Sequence, residues 1–272
     1  MSIAQFWLEE GFNPEFLKLT TKAERLKTGR ILYEYHTPKH HYWLKTQLPN
    51  KNVVFERAFQ QEIFAYAHIS KTMPSIFLDY AVTNLNFENM HGMFGHESLV
   101  LPHVEYFFND NPFFLSTDQI MHKIIQALCA LEILHIHEWV HGDLKADHFC
   151  IDRQNVKILD FEQCFHFDKN IEINMTATPR YMAPELFHGE AKSKASDVYA
   201  LGIILLEWLM QKRLKSKSYY DWAVLHCQKL EIQLSEQFLC FKPMLKSMLE
   251  KDKRHRLIDF SALKKLLILN VV

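Results

Sequence analysis

The chain has 272 residues, with 31 Lys and Arg against 32 Asp and Glu, a formal net charge of -1. Hydrophobic residues make up 48% and charged residues 23%, an ordinary balance for a soluble globular protein long enough to bury a sizeable core as two small domains or one two-lobed one. That balance gives no global pull toward nucleic acid or an anionic membrane, and five cysteines with no CxxC pair suit a reducing compartment better than a disulfide framework.

Residues 1–15 read as a short helix or strap and lack the basic and apolar regions of a secretory leader. Ile31 to Tyr35 and His41 to Thr46 are strand candidates rich in aromatic and branched residues, Phe16 to Thr20 alternates weakly as a further one, and Ile76 to Val82 and Ser98 to Leu101 again read as strands. His36 to His40, with Pro38, makes the turn between the first two of these. Phe55 to Ile69 carries apolar residues at helical spacing. After Pro102 the pattern turns helical: Thr117 to Glu138 with Ser116 as N-cap, Asp197 to Lys212 with Ser196 as N-cap, then Tyr220 to Leu230, Glu236 to Glu250 and Phe260 to Leu269. The longest apolar run, Tyr199 to Met210, is broken by Glu207 and too short to span a bilayer. The expectation is an α+β chain with no membrane span, located in the cytoplasm. A small sheet-rich lobe (about 1–101) is joined by Pro102 to Glu105 to a helical lobe (about 106–272), with a ligand site in the cleft between them.

Sixteen histidines offer two pairs at i,i+4, His36 with His40 and His137 with His141. Pro38 argues against a helix for the first, and the second runs out of a helix into a loop. With no cysteine cluster or third ligand at zinc-site spacing, both read as surface or loop histidines.

Two aspartates, Asp143 in HGDLK and Asp160 in ILDF, flank a short polar turn and a small apolar strand. Each alone is an ordinary turn residue. Together they are the pair that phosphoryl transfer to a hydroxyl needs, one carboxylate to orient the nucleophile and one to hold the metal.

Five segments strengthen that reading: ALEILHIHEWVHGDLKADHF, KILDFE, ATPRYMAPE, SDVYALGIILLEWL and KDKRHRL. In order and spacing they resemble the catalytic loop, metal-binding loop, activation-segment end, buried helix and late arginine segment of the eukaryotic-type serine/threonine protein kinase family, over roughly residues 16–270. The resemblance implies a bilobal kinase fold and ATP-dependent transfer to serine or threonine hydroxyls of a protein, with Mg²⁺ or Mn²⁺ as the metal. It implies Asp143 as catalytic base, Lys145 as the neutraliser of phosphoryl charge and Thr178 as a contact of the catalytic loop. Asp160 would be the metal ligand, with His148 at the position of the second. Lys45 would bind phosphate with Glu62 as its helix partner, Gly29 would be the remnant of the glycine-rich loop, and the Pro102 carbonyl and Val104 N–H would meet adenine. Glu185 with Arg256, and Asp197 with the catalytic-loop backbone, would be structural. The partner would be a protein substrate, not nucleic acid, and the chain a monomer or weak dimer.

Several residues depart from the pattern. Glu24 and Leu26 stand where loop glycines belong, Trp43 where a small residue meets adenine, and Glu162 where a glycine follows Asp160-Phe161. His148 replaces an asparagine, and Mg²⁺ prefers oxygen to imidazole. The form D-x4-H-F also resembles the bacterial kinases of lipopolysaccharide-core sugars, although those lack the APE element present here. Gly142 replaces the arginine that reads a phosphate on the activation segment, which leaves Thr176 an ordinary loop residue. A pseudokinase that binds without phosphotransfer and a sugar kinase therefore stand beside the protein kinase. With no tail or extra domain in view, the length points to a bacterial or phage-like kinase.

Overall fold

The computed structural model describes residues 13–21, 23–83, 97–168 and 177–271. The expected strap over 1–15 lies outside them as far as residue 12, as does Thr176, and the Glu24 side chain is not described. The chain divides into two compact units, one of Met1–Glu105 with Leu159–Glu162, the other of Tyr106–Ile158 with Gln163–Val272. Its class is α+β, sheet in the first unit and mainly helix in the second.

The first unit is built on a five-stranded antiparallel sheet. Its strands are β1 (Leu17–Leu19), β2 (Arg30–His36), β3 (His41–Gln47), β4 (Ala81–Thr83) and β5 (Ser98–Pro102), in the order β1-β2-β3-β5-β4. Alternation sorts the two faces. Ile31, Tyr33, Tyr35, Leu44 and Val100 close a core with Ala81, while the intervening residues, Lys45 among them, project from the opposite face. Helix α1 (Val53–His68) starts where the Asn52 side chain accepts hydrogen bonds from the backbone of Val54 and Phe55. It buries Ala58, Phe59, Glu62, Ile63, Ala65 and Tyr66.

In the second unit α2 (Thr117–Ile136) carries the expected Ser116 cap, completed by Gln119 into a capping box. Strands β6 (Trp139–Val140) and β9 (Phe165–His166) pair, and β7 (Phe149–Asp152) with β8 (Asn155–Ile158) forms a hairpin. Arg153 and Gln154 both have positive φ in its two-residue turn, the geometry that matches strand twist. Helix α3 (Lys194–Met210) is buried along nearly its whole length. It is followed by α4 (Tyr219–Val224), α5 (Lys242–Met248), which packs against it, and α6 (Phe260–Val271).

Four expected elements differ. Ile76 to Val82 is a strand only from Ala81; Pro74 opens a 3₁₀ turn, and Ile76, Phe77 and Leu78 are buried in succession rather than alternately. The cap of α3 is Ser193, with Ser196 as the third helical residue reaching back to the Ser193 backbone. A serine there is a weaker sequence signal than the usual Glu or Gln. Over Tyr220 to Leu230, α4 gives way to a π turn, Leu225–Lys229. Over Glu236 to Glu250 a 3₁₀ turn precedes α5, because Pro243 fits only the first turn of a helix.

That π turn buries His226, whose Nδ1 lies 2.9 Å from the Tyr199 hydroxyl. Burial pushes the imidazole down to about 4. The ring is therefore neutral when folded but takes a proton near pH 6.5 when unfolded. The stability it contributes is fully present above pH 6.5 and is lost as pH falls from 6.5 through 4, a loss on the order of 3 kcal/mol. His226→Gln is expected to be less stable than the parent at pH 7. The gap should narrow by pH 4.5, as read from thermal midpoints at the two pH values.

Candidate active site

In the first unit a group of charges surrounds Lys45. Alternation along β3 sets Lys45 on the face opposite the core, and α1 turns Glu62 inward beside Phe59, Ile63 and Tyr66. The Lys45 ammonium lies 2.6 Å from Glu62 Oε2, 3.3 Å from Asp160 Oδ1 and 2.5 Å from Glu162 Oε1. Burial alone would push the ammonium down, but the carboxylates of Asp160, Glu62 and Glu162 outweigh it and hold it well above its ordinary value. Burial likewise pushes the Glu62 carboxyl up; Lys45 draws it down, while Asp160 and Glu162 push it up further. Asp160 has φ +63°, a left-handed conformation that aspartate tolerates better than most residues. Phe161 anchors that turn. Its ring is fully buried, stacked on Phe77 with centroids 4.2 Å apart and edge-on to Tyr66 at 5.9 Å.

Glu162, where the resemblance calls for glycine, is held on two sides. Arg30 on β2 donates to its carboxylate, to Gln47 and to the Phe55 carbonyl. Two cations thus meet three carboxylates, Glu62, Asp160 and Glu162, whose oxygens lie within 4.8 Å of one another. Hard oxygen donors of this kind suit Mg²⁺.

The second unit assembles the HGDLK loop on the first turn of α3. Asp197 accepts hydrogen bonds from the backbone of His141 at 2.7 Å and Gly142 at 3.0 Å, and its Oδ2 lies 3.1 Å from His135 Nε2. Fixed in this way, the loop presents Asp143, whose Oδ1 accepts from the Thr178 backbone N–H at 2.8 Å and whose Oδ2 lies 2.8 Å from the Lys145 ammonium. Thr178 meets Asp143 through its main chain. His148 ends the 3₁₀ turn Ala146–His148 and is buried, its ring 5.5 Å from that of His141. An imidazole there does not fit a Mg²⁺ ligand set. Glu185 and Arg256 form the expected buried pair, at 2.6 and 2.8 Å.

Gly142 has a physical reason that the sequence does not give. Its φ is +79°, and a Cβ there would stand 2.7 Å from the Gln163 carbonyl oxygen and 3.2 Å from the Lys192 side chain. An arginine has no room. Lys192 occupies that space, its ammonium 3.2 Å from Gln163 Oε1. Burial pushes it below its ordinary value against the attraction of Asp143 and Asp197. Neither Arg30 nor Lys192 is marked in the sequence by a motif; the one available signal is the glycine itself.

The residues expected around adenine and phosphate lie in the first unit. A one-turn helix, Ala23–Leu26, leads into Gly29. Gly29 has φ +83°, and a Cβ would meet Gln47 at 2.6 Å and Lys51 at 2.8 Å, so this glycine is required by close packing. Pro102 ends β5 opposite Tyr42, and Val104 follows, half-buried. Trp43 shares the Lys45 face; its ring stacks on His103 at 5.7 Å, and His103 stacks on His41 at 3.8 Å. His36 faces His41 across the strands, rather than His40. Among the described residues no helix is long and apolar enough to cross a membrane.

Comparison with known proteins accords with these features. Residues 45–267 match the protein kinase domain. The chain is 31% identical over 146 residues to the probable serine/threonine-protein kinase mkcF of Dictyostelium discoideum, covering 48% of this chain and 21% of that protein. It is 35% identical over 143 residues to the serine/threonine-protein kinase AtPK1/AtPK6 of Arabidopsis thaliana, covering 50% of this chain and 30% of that protein. To the membrane-associated tyrosine- and threonine-specific cdc2-inhibitory kinase of Drosophila melanogaster it is 30% identical over 142 residues, covering 51% and 26%. The chain thus spans less than a third of the length of these relatives. The match across most of its length settles the family: this chain belongs to the protein kinase domain family.

Proposed function

We propose that the chain is a serine/threonine protein kinase that uses ATP and Mg²⁺. The observation that carries this reading is the Lys45 group, a buried ammonium between the Glu62 and Asp160 carboxylates. Burying such charges is a poor route to stability, since desolvation cancels much of the attraction. A nucleotide polyphosphate with its metal gives them a use. Asp160 would hold Mg²⁺, which when bound neutralises phosphate charge, and Lys45 would orient the phosphates with Glu62 as its brace. Asp143 would orient a substrate hydroxyl and accept its proton, and Lys145 would offset charge on the transferred group. His148, an imidazole, would not hold the Mg²⁺.

Glu162 favours a second reading, a pseudokinase. Its carboxylate already holds the Lys45 ammonium at 2.5 Å and is itself braced by Arg30. A nucleotide phosphate would have to displace it.

One experiment separates the two. The purified chain is incubated with labelled ATP, Mg²⁺ or Mn²⁺ and, in separate arms, a mixed set of serine- and threonine-containing peptides or a set of sugar acceptors, and its thermal midpoint is followed with nucleotide. The kinase reading expects label on peptide hydroxyls and a midpoint raised by the equivalent of about 2.7 kcal/mol at 100 times the dissociation constant. Neither label nor shift overturns it. A shift without transfer establishes the pseudokinase, and transfer to a sugar but no peptide moves the substrate class.

A further inference from the structure

The β2–β3 hairpin brings together three metal-ligating side chains that the sequence separates. His36 and His41 are direct partners at its end. The His41 carbonyl accepts from the His103 backbone at 2.9 Å, so it points away from β2. The His36–His41 pair is therefore a non-hydrogen-bonded one, where side chains stand closest. Glu34 lies two residues before His36 and projects from the same face. Its Oε1 is 2.7 Å from His41 Nε2, and the rings of His36 and His41 stack with centroids 4.4 Å apart. One ligand atom from each of the three lies within 4.8 Å of the other two.

We propose that Glu34, His36 and His41 form a Zn²⁺ site. The two imidazole nitrogens are borderline donors, and with one carboxylate they suit Zn²⁺ better than Mg²⁺ or Ca²⁺, which prefer all-oxygen sets. Ligand atoms around a tetrahedral zinc stand about 3.3 Å apart. Glu34 and His41 are already inside that distance, so the closing movement falls on His36, the exposed member. A simple ion pair accounts for Glu34 and His41; a bound ion also accounts for His36 at the same point. The strands pair over seven residues each, which gives the site a stiff base. Three protein ligands leave the fourth position to water or an anion. His103 stacks on His41 and Trp43 on His103, so the ion would fix this ring ladder on the face that carries Lys45.

The test uses the intact chain, freed of metal by a chelator and titrated with Zn²⁺ against a chromogenic competitor. One equivalent is expected. Co²⁺ in its place should give the intense visible absorption of a four-coordinate ion. His36→Ala, His41→Ala and Glu34→Gln should each weaken binding by about tenfold or more, whereas His255→Ala, on an exposed histidine of the other unit, should not. Metal-free thermal midpoints identify any variant that has lost its fold; His36→Ala, at an exposed ring, tests the site without that risk. Equal affinity in parent and His36→Ala, no binding against the competitor, or half an equivalent with dimerisation each overturns the proposal.

Discussion

Arg256→Ala is expected to destabilise the chain by about 3–5 kcal/mol, the cost of breaking a buried ion pair by removing one partner. The Arg256 guanidinium is fully buried, and the Glu185 side chain is 3% exposed. The two meet in a fork, Nη1 to Oε1 at 2.6 Å and Nη2 to Oε2 at 2.8 Å. The remaining donors serve the carbonyls of Ala195, Glu250 and Lys251, and the cation lies 4.9 Å from the centre of the Tyr199 ring. Alanine removes all of this and leaves the buried Glu185 carboxylate without its counter-ion. Lysine cannot restore the fork, because its ammonium is a point donor. The thermal midpoint of Arg256→Ala should fall by about 10 °C. The double variant Glu185→Leu, Arg256→Met should lose less than Arg256→Ala alone, since it removes both buried charges together. If the single variant loses no more than a surface substitution, the pair does not hold the Glu185 turn and the Arg256 segment together within the second unit.

The sequence makes legible those features whose chemistry sits in residue identity at short range. Asp143, Lys145 and Asp160 are marked by their neighbours, and Ser116 by its place just before a helical pattern. Strands β2 and β3 alternate clearly enough to set Lys45 opposite the core. Features set by distant packing are not visible in this way. Arg30 and Glu162 are 132 residues apart in sequence, and nothing local to either names the other. Gly142 reads as a lost arginine until its positive φ and the neighbouring Lys192 show that any side chain is excluded there. Helical spacing pairs His36 with His40, whereas the strand register pairs His36 with His41. The Ile76 to Val82 run shows the same limit, because burial follows Phe161 and α1 rather than a period of two.

Asp143→Asn should lower the turnover number about 10²–10⁴-fold, the range for a positioned acid–base group. This follows from the protein kinase reading and from the surroundings of the carboxylate. Asp143 Oδ1 accepts from the Thr178 backbone, and an asparagine oxygen can do the same. Oδ2 faces the Lys145 ammonium at 2.8 Å, where an amide NH₂ offers no acceptor and no charge. The loop itself is held by Asp197 through the backbone of His141 and Gly142, bonds the substitution does not touch. Fold and nucleotide affinity should therefore stay close to those of the parent, while the chemical step loses its proton acceptor. Steady-state kinetics should show a fall in kcat with little change in KM for ATP, the sign of an interaction made in the transition state. Lys145→Met should give a smaller loss, because it removes charge but leaves the base. Activity within about tenfold of the parent for Asp143→Asn, on the scale of such groups, would remove Asp143 from the base role. A collapse of the thermal midpoint would instead assign it to holding Thr178 and the segment that follows.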